Sequence, residues 1–197
     1  MMLNVATCQF PVGPNVKKNA AYIIRQIETS AASGADVAHF CEGALSGYAG
    51  ADFPSFENFD WKALRDSTAT IAKAAGEFGV WVLLGSSHEL SEGRKPHNCV
   101  YVIDDQGMIV DRYDKRFCSG DLQSKSGDLS HYTPGDYSCV FEVRGLKCGV
   151  LICYDYRFPE LYRDYKRNGV DVLFHSFHAG NINPKLLQEM QSQVGPE

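Results

Sequence analysis

Short apolar runs alternate along this chain with stretches whose apolar residues recur every three to four positions, a pattern that reads as α/β. Residues 3–8 predict a first buried strand. Pro14-Asn15 then opens a helix in which Val16, Ala20, Ile23, Ile27 and Ala31 share a face, and Gly34 ends it. Residues 35–41 are apolar again, so strand, helix and strand make a βαβ unit with a right-handed crossover. A second helix is predicted over 61–78, with Leu64, Thr68, Ile71, Ala75 and Phe78 on one face; Gly79 caps it and 80–84 follow as a strand. The pattern then turns to hairpins, one from 98–103 and 108–113 around 104–107, another from 138–143 and 146–152 around Arg144-Gly145. A helix over 159–167, the Asn168-Gly169 stop and a strand over 170–174 restore the α/β rhythm. The last stretch starts a helix at Pro184 with no strand after it, which suggests that 1–197 is a single domain forming the front part of a longer one.

Composition narrows the function classes. At 197 residues, 44% hydrophobic and 22% charged, the chain has globular proportions. It is long enough to bury about 70% of its extended surface in one core. The net charge is −5, and basic residues cluster only in pairs such as Lys17-Lys18 and Lys115-Arg116. Nucleic acid and anionic membranes need a basic stripe, so neither is an expected partner. The longest apolar run, 78–84, is too short to span a bilayer, and the start carries no secretory leader. Seven cysteines, an odd number without a C-x-x-C pair, point to a reducing compartment and hence the cytoplasm.

Nucleotide-binding motifs and H-E-x-x-H are absent. His175-x-x-His178 lacks a third donor at ligand spacing and reads as a pocket wall rather than a metal site. Glu42, Lys115 and Cys153 each follow a predicted strand, where open α/β sheets place their sites. Cys153 also falls on a strand-to-helix turn, with Pro159 and Glu160 suited to the first helical turn. A helix N-terminus and a nearby lysine both lower a thiol's pKa. Thiolate, carboxylate and ammonium together could attack a carbon, shuttle protons and hold an oxyanion. Spacing alone leaves plainer readings open: Cys153 as a small core hydrophobe, Glu42 as a solvent-facing loop residue, Lys115 paired with Asp111 or Asp114. A serine hydrolase using Ser46 or Ser86 with His88 would lack the G-x-S-x-G elbow.

Three segments carry a resemblance. Cys41-Glu42-Gly43-Ala44-Leu45-Ser46-Gly47-Tyr48 resembles the P-E-x-x-L-S-G-Y signature of the carbon–nitrogen hydrolase (nitrilase) superfamily, and Tyr113-Asp114-Lys115-Arg116 its Y-x-K-x-H-L segment. Residues 149–161, with Ile152-Cys153-Tyr154-Asp155-Tyr156-Arg157-Phe158-Pro159-Glu160-Leu161, resemble its nucleophile segment G-x-x-I-C-Y-D-x-R-F-P-E-L, in the manner of the amidase and ω-amidase-like branches. The resemblance implies an α-β-β-α sandwich paired into a homodimer, no metal and no cofactor. It implies Glu42 as general base, Lys115 as oxyanion-stabilising cation, Cys153 as nucleophile and the Tyr154 backbone N–H as a second oxyanion donor. The implied activity is hydrolysis of a small linear amide through a thioester. A nitrile or carbamoyl-amide substrate and a non-catalytic scaffold are the alternatives. The sequence departs from the pattern at Cys41, at Arg116-Phe117-Cys118, and at Asp128, which stands where many members carry a second glutamate before Pro134-Gly135. Tyr48, Phe177 and His178 are candidate substrate contacts, and Arg157 is expected to anchor the helix start through Asp155 or Glu160.

Overall fold

In a computed structural model, which describes residues 2–178 apart from Glu92, Leu122, Ser124 and Lys125, two sheets stack between helices. Strands β1 (Val5–Cys8), β2 (Val37–Phe40) and β3 (Trp81–His88) run parallel, linked by α1 (Val16–Ala32) and α2 (Trp61–Phe78). Strands β4 (His97–Ile103) and β5 (Ile109–Asp114) extend this sheet antiparallel, in the order β1-β2-β3-β4-β5. In the second sheet β7 (Leu146–Ile152) is central, antiparallel to β6 (Val140–Val143) and parallel to β8 (Val172–Ser176), with α3 (Pro159–Arg167) as the crossover.

Local chemistry explains the helix limits. The Asn15 side chain caps α1 by accepting the Lys18 N–H, and Asp60 caps α2 by accepting the Ala63 N–H. Gly79 ends α2 at a φ of +65°, a left-handed conformation that an L side chain would resist. Ile23, Ile27, Leu64, Ile71 and Ala75 bury the inner helix faces against Phe40, Val82 and Leu84. Phe78, expected on the buried face of α2, is exposed at the helix end. The other face of the first sheet (Val37, Leu83, Val100, Val102) meets Phe141, Val150, Ile152 and Phe174 of the second, and Trp81 stacks on Phe141 with ring centroids 6.0 Å apart. Beyond them α3 lies on β7. A Cβ at Gly149 would come within 2.6 Å of the Tyr165 ring, and the Tyr165 hydroxyl donates to the Val150 carbonyl at 2.6 Å. The layers are therefore α-β-β-α, as expected.

Strands β1, β2 and β6 start two residues inside their apolar runs, and β3 and β8 differ as well. Strand β3 continues through polar Ser86, Ser87 and His88, because its ladder to β4 persists as far as His88 opposite His97. Strand β8 starts two residues late. The Asp171 N–H bonds the Lys147 carbonyl at 2.8 Å and its carboxylate accepts the Lys147 N–H, so 170–171 form the lead-in, and His175 and Ser176 fall inside the strand. The helix expected from Pro184 lies outside the described residues. Among the described residues no helix is long and apolar enough to cross a membrane.

Candidate active site

The segments that follow β2, β5 and β7 converge. Glu42 sits in a loop clamped onto β3: the Leu45 N–H donates to the Gly85 carbonyl at 2.9 Å, and a Cβ at Gly85 would lie 1.9 Å from the Cys41 carbonyl oxygen. Only glycine permits that approach. Glu42 is 0% exposed, which disposes of a solvent-facing role. Its Oε1 accepts Lys115 Nζ at 2.8 Å and Asn98 Nδ2 at 2.7 Å, and its Oε2 accepts the His178 backbone N–H at 2.9 Å.

Lys115, also buried, donates to Asp128 Oδ2 at 2.6 Å as well as to Glu42. It does not pair with Asp111 or Asp114; the latter takes a bidentate Arg112 instead. Burial alone would depress the ammonium, but Glu42 and Asp128 outweigh it and hold the Lys115 pKa above the ordinary lysine value. Asp128 opens a short 3-10 turn and also accepts the Ser119 N–H at 3.1 Å and the Tyr48 hydroxyl. Burial pushes its carboxyl up, yet Lys115 and these hydrogen bonds leave it below the usual range. The shorter aspartate thus reaches the cation from the position where a glutamate was expected.

Cys153 begins a 3-10 turn (Cys153–Arg157) with a φ of +41°, a region costly for a side chain larger than glycine. Fully buried Asp155 holds the turn by accepting the Ile152 N–H at 3.0 Å, the Phe117 N–H at 2.8 Å and the Tyr113 hydroxyl at 2.9 Å. Such strain persists only where the surroundings over-determine it. The Tyr154 N–H is among the opening donors of that turn, which have no partner within it.

The lowered thiol pKa expected from a helix N-terminus is corrected here. Helix α3 starts at Pro159, after the whole 3-10 turn, so its dipole does not begin at Cys153. The thiol is pushed up to about 12, first by burial and then by the Glu42 charge, against Lys115. The lysine cannot reverse this because two carboxylates already neutralise it.

The remaining candidates separate. Tyr48 and His178 stack with ring centroids 4.7 Å apart beside Lys115, and His178 reaches Glu42 through its backbone. Phe177 is 47% exposed and packs on His175 and Tyr156, away from this network. Arg157 contacts neither Asp155 nor Glu160. It bonds the Tyr156 hydroxyl at 3.1 Å and lies over the Tyr154 ring, since Asp155 is committed to the interior. His175 bonds the Cys153 carbonyl at 3.1 Å while His178 turns to Asp52 at 3.2 Å, so the two do not share a ligand. Among the described residues no three His, Cys, Asp or Glu converge as metal ligands. Neither Ser46 nor Ser86 pairs with His88: Ser46 bonds the Gly47 carbonyl and Ser87, and His88 bonds Tyr101. Asn98 is the contact that motif reading missed. The signal for it is strand register, because the Lys115 N–H bonds the Asn98 carbonyl at 2.8 Å and places both side chains on Glu42.

The chain is 29% identical over 190 residues to the omega-amidase NIT2 of Xenopus tropicalis, covering 93% of this chain and 68% of that protein. It is 29% identical over 162 residues to the 2-oxoglutaramate amidase of Bacillus subtilis, covering 82% of this chain and 58% of that one. Its fold overlays an amidase of Nesterenkonia with a TM-score of 0.78 at 19% identity, over 91% of this chain and 66% of that one. The model for the carbon-nitrogen hydrolase family matches residues 4–195, and the chain belongs to that family.

Proposed function

We propose that this chain carries a thiol amidohydrolase site for small linear amides. The observation that carries the reading is that Glu42, Lys115 and Asp128, from three separate segments, form one buried network against the Cys153 turn. The Xenopus tropicalis and Bacillus subtilis relatives are amidases by name. In a glutamate-to-leucine mutant of a Nesterenkonia amidase of the same fold, the acetamide moiety of fluoroacetamide is added covalently at the active-site cysteine.

The high thiol pKa dictates the order of events. The resting nucleophile is the neutral thiol, with the Glu42 side chain beside it. As Sγ attacks the amide carbon, the thiol proton passes to Glu42 and the carbonyl π electrons move to oxygen. Lys115 Nζ and the Tyr154 N–H hold that oxyanion. Glu42 then returns the proton to the departing nitrogen, the C–N bond breaks, and ammonia or an amine leaves a Cys153 thioester. Water, deprotonated by Glu42, attacks the thioester, and the proton goes back to the sulfur as the acid leaves. Donors fixed in a buried site act without reorganising, so each is worth more than in water. Asp128 and Asn98 orient Lys115 and Glu42 respectively.

Seven unpaired thiols support the cytoplasm as the working compartment. Exposed Tyr156 and Tyr162 beside the Cys153 turn and on α3 support a homodimer through that face. The hydrolase reading is tested by ammonia release from a panel of short-chain amides, with acid-quenched samples weighed for an acyl adduct on the Cys153 peptide. Turnover that disappears in Cys153→Ala, together with an adduct at Cys153, is expected. Turnover unchanged in Cys153→Ala would overturn it. Lys115→Ala should lower kcat by roughly 10²–10³, as loss of other oxyanion donors does.

A further inference from the structure

Asp52 lies outside every motif in the sequence, yet one of its oxygens ties together two arms of the site. Asp52 Oδ2 accepts the Tyr48 backbone N–H at 2.8 Å and meets His178 Nε2 at 3.2 Å. The Tyr48 and His178 rings stack nearly parallel, 19° apart. From this junction the two residues reach in opposite directions. The Tyr48 hydroxyl donates to Asp128, and the His178 backbone N–H donates to Glu42 Oε2 at 2.9 Å. Asp128 and Glu42 are the two carboxylates that hold Lys115. The contacts therefore close a ring from Asp52 through His178, Glu42, Lys115, Asp128 and Tyr48 back to Asp52.

We propose that Asp52 is a positioning residue for the hydrolytic site, fixing both carboxylates that flank Lys115 by holding Tyr48 and His178 on a single oxygen. The proposal rests on the amidohydrolase reading for its effect on turnover, but the ring exists independently of the substrate. Two features of the local backbone suit the role. The Asp52 and Ala51 N–H groups both bond the Tyr48 carbonyl, at 2.8 and 3.1 Å, so the Tyr48-to-Asp52 segment is a closed turn with its carboxylate folded back onto its own start. The Asp52 and His178 side chains are only 16% and 13% exposed, so water competes little for the contact. In the proposed role Asp52 acts through the ring. It restricts where Glu42 and Lys115 can move while the proton is in transit.

The test pairs Asp52→Ala with the conservative Asp52→Asn, whose amide oxygen can accept the same two donors. On the short-chain amides, Asp52→Ala should lower kcat roughly 10- to 100-fold with KM nearly unchanged, the cost of misplaced catalytic groups, and Asp52→Asn should restore most of it. A second measurement needs no substrate: iodoacetamide alkylation of Cys153 across a pH series, resolved by peptide mass spectrometry. Loosening Glu42 removes part of its raising influence on the thiol, so the Cys153 profile of Asp52→Ala should move to lower pH, toward that of Glu42→Gln, while Cys8, Cys99, Cys139 and Cys148, which sense neither Asp52 nor Glu42, stay as they were. If Asp52→Ala does not fold, His178→Phe keeps the ring stack and cuts the Asp52 contact, and should show the same shift in smaller measure. An Asp52→Ala protein with wild-type kcat and a wild-type Cys153 profile overturns the proposal, as does a loss equal in Ala and Asn that affects all cysteines alike. A chain whose Cys153 profile depends on Asp52 but which hydrolyses no amide upholds the positioning role and defeats the hydrolase reading instead.

Discussion

Two carboxylates share one ammonium in this site, and the imbalance bears on the state of the Cys153 thiol. Glu42 and Asp128 both lie within 2.8 Å of Lys115 Nζ, so the cation's lowering influence on the Cys153 thiol is outweighed. Burial and the Glu42 charge then keep the proton on sulfur. The consequence can be measured. Glu42→Gln removes a raising influence and should move the Cys153 alkylation profile to lower pH while abolishing turnover. Lys115→Met removes a lowering one and should move the profile higher. Unchanged profiles in both variants would mean that the three groups do not sense one another. At this scale the motifs were informative about identity: Glu42, Lys115 and Cys153 were legible as candidates because each follows a strand. Their protonation was not, since it depends on distances between residues 42, 115, 128 and 153. Asn98 escaped notice because its place depends on a bulge. The β4–β5 register shifts between Val102 and Ile103, and a regular ladder continued from Ile103 opposite Ile109 would have set His97, not Asn98, across from Lys115.

Among the elements, period and caps located the helices well, because those signals are local: Asn15, Asp60 and Pro159 stand where the chain turns helical. The strand ends were less legible. Polar Ser86 to His88 continue β3 because β4 supplies the hydrogen bonds, a contribution no window of sequence contains. The packing of α3 on β7 is likewise a matter of contact. With the Tyr165 ring against its α-carbon, Gly149 leaves no room for a methyl group. Gly149→Ala should cost about 1–3 kcal/mol, the usual penalty of overpacking, read as a lower urea midpoint with an unchanged m-value. Because β7 leads directly into Cys153, the same variant should lose activity in step with the displacement of that strand.

For the molecule as a whole, the join between the two sheets carries its own pH dependence. His39 on β2 faces the second sheet, bonding the Ser176 hydroxyl at 2.9 Å and meeting the Phe174 ring edge-on. Burial, reinforced by the His175 charge, pushes its pKa down to about 4 from 6.5. Between those values the unfolded chain takes up a proton that the folded protein refuses. The associated stability is present in full above pH 6.5 and is lost as pH falls toward 4. The loss amounts to roughly 3 kcal/mol, measurable as a falling urea midpoint, and a His39→Gln variant should lack most of that slope. The α/β class, the order of most elements, the family resemblance and the three candidate residues were legible in sequence alone, because periodicity, caps and motifs are properties of neighbouring residues. The tertiary structure decided the register that brings Asn98 to Glu42, the 3-10 turn that separates Cys153 from the α3 dipole, and the ring of contacts through Asp52. Each of these is held by contacts between segments tens of residues apart, the turn through Asp155 to Tyr113 and Phe117, and only packing and hydrogen bonding between them set the distances on which the chemistry depends.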